Sequence, residues 1–213
     1  MSSTADRLTL ARWLSPSFPL GSFAYSHGLE AAVEQGAVAT ADALCAWSGD
    51  VLRYGSGKSD AILLALALKP GADWVVLAAW ARALAASRER WVETRELGTA
   101  FTDTTNAIEG TAHAAAPLPV AVGRAASRLD LPAEEVVALY LQNMAAAIVS
   151  AGVRFIPLGQ VAGQGVQAAL APIALVVAHE AIATDLDAIT TGVPMADLAA
   201  MAHETMDVRI FLT

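Results

Sequence analysis

Ser15-Pro-Ser-Phe-Pro-Leu-Gly-Ser-Phe-Ala-Tyr-Ser-His-Gly-Leu-Glu30 is the stretch from which the rest of the chain is best understood. Pro16 and Pro19 fix φ and remove amide donors, so no helix is expected before about Leu20. Gly21 permits a tight turn, and Ser22 is placed to cap a helix running on through Phe23, Tyr25 and Leu29 towards Gly36. The loop carries Phe18, Leu20 and Phe23, which an ordinary solvated connection does not. These side chains are expected either to plug the chain's own core or to face a partner protein.

On both sides of this break the sequence reads as helix. The spacing of Leu8, Ala11 and Arg12 predicts a helix over Ala5 to Leu14, stopped by Pro16. Thr40 is an N-cap for a helix with Leu44, Trp47, Val51 and Leu52 inside, and Asp73 caps one with Trp74, Leu77, Trp80, Ala81 and Leu84 on a stripe. Between them Gly55-Ser56-Gly57 makes a turn before a helix from about Ser59 to Leu68, which Pro70-Gly71 ends. Ser87 to Ile108 is a longer, polar helix. Its charges (Arg88, Glu89, Arg90, Glu93, Arg95 and Glu96) read as a solvated face. Pro117 and Pro119 introduce a helix to about Leu129, and Pro132 with Glu134 and Glu135 starts another. From Gln160 a helix contains Pro172, where a kink or break is expected, and a last helix begins near Pro194. The expectation is an all-α fold, one compact domain over residues 1–213 with about nine or ten helices.

Composition agrees. The chain has 213 residues, 55% of them hydrophobic and 16% charged, enough length for a sizeable core. Alanine, the strongest helix former, is abundant. The longest uninterrupted apolar run, Ala168 to Ala178, is too short to span a bilayer. No basic region followed by an apolar stretch opens the chain, and Cys45 is its one cysteine; a cytoplasmic protein without membrane association or internal disulfides is expected. A formal charge of −8 argues against a general nucleic-acid binder. Between Phe155 and Val208 there is no Lys or Arg, while Glu180, Asp185, Asp187, Asp197, Glu204 and Asp207 are present. This is a solvated acidic face or a dock for a basic partner.

Three motifs invite chemistry. Gly55-Ser-Gly-Lys-Ser59 resembles part of a phosphate-binding loop, but Leu52 stands where the first glycine belongs and no strand precedes it. Ala24-Tyr-Ser-His-Gly28 resembles a nucleophile elbow without its first glycine, and Ser26 is predicted inside a helix. His27 with Glu30, His179-Glu180 and His203-Glu204 all lack a second histidine at helical spacing for a metal. No catalytic residue, metal site or cofactor is expected.

Taken together, the segments resemble the urease accessory protein F (UreF) family. The likeness is carried by Ser15–Glu30, by Glu93-Thr-Arg-Glu-Leu-Gly98, by Ser150-Ala-Gly-Val-Arg-Phe-Ile-Pro-Leu-Gly-Gln-Val-Ala-Gly-Gln164 and by His203-Glu-Thr-Met-Asp-Val-Arg-Ile-Phe211. The resemblance implies an all-helical cytosolic protein that is not an enzyme. It implies a homodimer that pairs with UreD (also called UreH), recruits the GTPase UreG and helps deliver nickel to apo-urease. On that reading Phe18, Leu20, Phe23, Tyr25 and Glu30 belong to one protein interface, and Gln160 and Gln164 shape a second. Arg209 and Phe211 anchor a tail that orders when its partner binds. Two other classes stay open: a direct activator of UreG using Arg209 or Arg154 as an arginine finger, and a helical small-molecule enzyme.

Overall fold

Thr40, Asp73 and Ser87 cap helices as their side-chain oxygens predict, accepting from the amides of Ala43, of Val75 and Val76, and of Arg90. The computed structural model describes residues 3–212. Among these it contains ten α-helices, two short 3-10 turns and no strand. The helices are α1 (Thr4–Trp13), α2 (Leu29–Glu34), α3 (Ala41–Tyr54), α4 (Ser56–Leu68) and α5 (Trp74–Ala83). They continue as α6 (Arg88–Glu109), α7 (Leu118–Ala126), α8 (Ala133–Phe155), α9 (Gly159–Ile182) and α10 (Pro194–His203).

α4 runs through the middle of the bundle. It is apolar nearly all round and is buried from Asp60 through Ala65, as a helix enclosed on every side must be. α3, α5, α7, α8 and α9 all pack on it. α8 turns Val136, Leu141 and Ile148 into the same core and lies along α9. Trp13 of α1 meets Phe101 of α6 edge to face at 5.7 Å, a favoured aromatic geometry. Phe18 adds its ring to Phe101 at the same distance.

The structure departs from the sequence expectation in five places. The helix predicted from Ser22 to Gly36 is interrupted. A 3-10 turn covers Ser22–Ala24, Tyr25 is extended, and α2 starts only at Leu29. His27 (φ 55°) and Gly28 (φ 75°) both adopt left-handed backbone, which ends any α-helix. Ser26 is therefore outside a helix, contrary to expectation. It is fully buried and its hydroxyl accepts from the Glu30 amide.

The second departure is in α6, whose polar face is not all solvated: Glu89 and Glu93 are buried, and Arg90 nearly so. Third, α9 is continuous through Pro172. Pro172 lies on the exposed side, where water can replace the missing backbone donor. Fourth, α8 and α9, at 23 and 24 residues, are long and apolar enough to cross a membrane, although no single apolar run is. Gln, Gly and Ser interrupt the runs without stopping the helices. α8 buries 56% of its most apolar window inside the bundle, and α9 33%. Fifth, the tail is docked on the body in the isolated chain.

Candidate functional site

The tail is held by carboxylates that the sequence scatters and the fold collects. His203, at the last turn of α10, has no exposed surface. Its Nδ1 lies 2.7 Å from Glu89 Oε2 of α6, and its Nε2 lies 3.0 Å from Glu30 Oε2 of α2. Each ring nitrogen thus faces a carboxylate oxygen, so His203 ties α10 to both α2 and α6. Each carboxylate also grips the tail. Arg209 Nη1 donates to Glu89 Oε1 at 2.5 Å. The amides of Ile210 and Phe211 donate to Glu30 Oε1 and Oε2 at 2.8 and 2.9 Å. Beyond them the Leu212 amide donates to the Ala24 carbonyl at 2.7 Å, and the Phe211 ring is buried beside Phe155 at 5.1 Å. Glu204 closes the arrangement by accepting from the Glu89 amide.

Burial alone would push the Glu30 carboxyl up. The Ile210 amide, the His203 imidazole and the Phe211 amide outweigh that and hold it below its ordinary value. A carboxyl depressed in the folded state contributes stability that is complete above its unfolded value, about 4.3, and is lost as pH falls through the lower folded value. Acidification below about pH 4 should therefore free the tail. Amide exchange at Ile210 and Phe211, followed by NMR, is expected to accelerate in that range before the helical signal falls. Protection that persists until global unfolding would count against the clasp.

A second buried network lies next to the first. Asp60 Oδ2 of α4 accepts from Arg90 Nη2 at 2.6 Å and from the Tyr140 hydroxyl at 2.8 Å. Arg90 Nη1 reaches Glu93 Oε1 at 3.1 Å, and His27 Nε2 meets the same oxygen at 3.2 Å. Burial drives His27 below its ordinary value despite Glu93, so it is neutral near pH 7. Burial likewise drives the Tyr140 hydroxyl up, with Asp60 adding to the effect. For Arg90, burial is outweighed by Asp60 and Glu93, and its charge is held firmly. Asp60, Arg90, Glu93 and His27 border a cavity of about 270 Å³ between α4, α6 and α10, walled also by Leu63, Leu84, Val193 and Ala196.

The residues singled out in the sequence divide by burial. Phe18, Tyr25, Glu30 and Phe211 are buried within the chain, Leu20 is half-buried, and Phe23 is 70% exposed. Gln160 and Gln164 are exposed at the start of α9. Arg209 is engaged by Glu89, and Arg154 by the Phe23 carbonyl at 3.1 Å and the face of Phe211. The acidic stretch splits too: Asp197 accepts from the Val193 amide and Glu204 from Glu89, while Glu180, Asp185, Asp187 and Asp207 stay exposed. Glu89, Glu93, Asp60 and His203 were missed as partners, because their contacts span 30 residues or more. Gly55 alone joins α3 to α4, and Ser56-Gly-Lys58, expected to belong to the turn before the helix, form the first turn of α4. Among the described residues no group of three or more His, Cys, Asp or Glu is arranged to hold a metal.

Two apolar faces are left uncovered. α10 exposes Met195, Leu198 and Met201, three residues apart, and the tail that follows exposes Val208, Ile210 and Leu212. α9 exposes Val161, Leu175 and Val176.

The body is all-α, with a tail docked on it and two open helix faces. The profile of the UreF family matches residues 38–171. Proteins named "Urease accessory protein UreF" align along nearly the whole chain. The one from Cereibacter sphaeroides is 52% identical over 97% of this chain and 98% of its own. That from Paracoccus denitrificans is 51% identical over 97% and 96%, and that from a Jannaschia species 47% over 99% and 96%. The chain belongs to the UreF family of urease accessory proteins.

Proposed function

We propose that this chain is a non-catalytic, cytoplasmic scaffold in urease maturation, joining a urease–UreD/UreH complex to the GTPase UreG so that nickel enters apo-urease. The observation that carries this reading is the apolar surface of α10 and the tail. It is uncovered, and the tail that forms part of it is held against the body by Glu30 and Glu89. A preorganised surface loses less entropy on docking than a disordered segment. The exposed face of α9, with Gln160 and Gln164 at its start, is the surface for a second copy of the chain. Phe23 contributes from the Ser15–Glu30 stretch. Phe18, Tyr25 and Phe211 act from beneath, by shaping what the partner meets.

Leu198 is exposed, so Leu198→Asp should leave folding intact while placing a charge in the centre of the α10 face. Co-purification with UreD/UreH should weaken at least tenfold, the effect of about 1.4 kcal/mol at a central contact. Nickel-dependent urease activation should fall with it. Wild-type co-purification and activation by a folded Leu198→Asp protein would remove the docking assignment.

A further inference from the structure

The cavity between α4, α6 and α10 is used by neither the tail nor the exposed faces, yet its wall is chemically unfinished. Asp60 is buried, and both bonds to its carboxylate go to Oδ2; Oδ1 accepts nothing from the described residues. His27 Nδ1 and Thr94 Oγ1, both buried and both on residues of the cavity wall, have no hydrogen-bond partner. Buried polar atoms without partners are uncommon and call for an occupant that satisfies them. His27 also carries the one left-handed non-glycine backbone among the described residues, a strained conformation that the surroundings must hold in place.

The charge on the wall decides what occupant fits. Asp60, Glu93 and Asp197 border the cavity against one guanidinium, Arg90, with His27 neutral. The excess is negative, and in a partly enclosed space that favours a cation. A bare metal ion is a poor match, because the described residues hold no group of three ligating side chains, and a hard cation asks for six or more oxygens. Leu63, Leu84, Val193 and Ala196 give the lining an apolar part, beside the hydroxyl residues Ser56, Ser59, Ser87 and Thr191. At about 270 Å³ the space far exceeds that of one trapped water and sits at the lower edge of small-molecule sites.

We propose that this cavity binds a small organic ammonium ion, its charged nitrogen donating to Asp60 Oδ1 and its short alkyl part lying against Leu63, Leu84 and Val193. α10 forms one wall, so an occupant would also brace the helix that carries His203. Binding is a property of the isolated chain and is independent of the docking reading above.

The test titrates the purified protein with n-butylammonium chloride, with sodium butyrate and n-butanol as matched controls, and follows backbone amide shifts by NMR. Butylammonium is expected to perturb the amides of residues 27, 60, 90 and 94 with saturation at about 1–10 mM, the affinity range of a fragment of this size. Butyrate and butanol should bind at least tenfold more weakly. Asp60→Asn should weaken butylammonium at least tenfold. Because Asp60 also holds Arg90 and Tyr140, a second variant, Ala86→Trp, obstructs the cavity from an exposed wall residue without touching the network; it too should lose binding. Equal response to butyrate or butanol, butylammonium binding unaffected by both variants, or saturation by nickel or magnesium chloride with no response to butylammonium would each overturn the proposal.

Discussion

His203→Ala is expected to cost about 3–5 kcal/mol of stability, the range for removing one partner from a buried charged pair. The imidazole lies between the Glu30 and Glu89 carboxylates, with a nitrogen on each. Without it two buried carboxylates face a void. Glu89 keeps Arg209, and Glu30 keeps the amides of Ile210 and Phe211, so repulsion would be relieved by moving α10 and the tail outwards. Of a total stability of about 5–15 kcal/mol for a domain of ordinary size, this is a large share. Urea denaturation measures the loss. Hydrogen exchange should show residues 204–212 opening first, with α4 and α8 protected until global unfolding. A variant within about 1 kcal/mol of wild type, with a protected tail, would mean that the clasp does not hold α10 in place.

Gly98→Ala is expected to destabilise by about 3 kcal/mol or more, at the upper end of overpacking effects. Helix propensity alone points the other way, since alanine is favoured over glycine inside a helix by about 1 kcal/mol. Sterics decide. A Cβ on Gly98 would lie 2.0 Å from the Ala116 carbonyl oxygen, 2.5 Å from the Leu118 nitrogen and 2.7 Å from the Pro117 carbonyl carbon. All three are backbone atoms, and Pro117 and Pro119 stiffen the segment they belong to. α6 and α7 would have to separate. Gly165→Ala is the comparison: nothing lies within 4 Å of its would-be Cβ, so it should stabilise by about 0.5–1 kcal/mol through the unfolded state. Thermal unfolding of the two variants should therefore shift in opposite directions. Equal and small shifts would show that α6 and α7 can separate cheaply.

Much of the helical framework is legible along the chain because caps and stripes are local. Thr40, Asp73 and Ser87 each bond an amide two or three residues ahead, and nothing distant alters that choice. Pro117 and Pro132 act through their own rings. α6 shows where local reasoning stops. Arg88, Glu89, Arg90, Glu93, Arg95 and Glu96 have the spacing of a solvated face, and Arg95 and Glu96 are indeed exposed. Glu89 and Glu93 are not, because His203, Arg209, Arg90 and His27 supply them with donors inside the fold. The same limit applies to the helix expected over Ser22 to Gly36. Gly28 comes so close to Ala200 of α10 that a Cβ would meet its backbone nitrogen at 2.8 Å. The left-handed turn at His27 and Gly28 makes that approach possible, and nothing within the segment announces it.

The sequence by itself determined that this is an all-helical chain, where most helices begin and end, and that its motifs resemble the UreF family, to which it belongs. Those properties depend on hydrogen bonds and rotamers within a few residues, or on the order of motifs along the chain. Only the tertiary structure decided which charges are buried. It joined Glu30, Glu89 and His203 into a clasp, and it turned the tail, expected to order on a partner, into a docked segment over Ser15–Glu30. The physical reason is that a buried charge is tolerable only beside a counter-charge or a donor. Here those partners lie as far as 181 residues away along the chain.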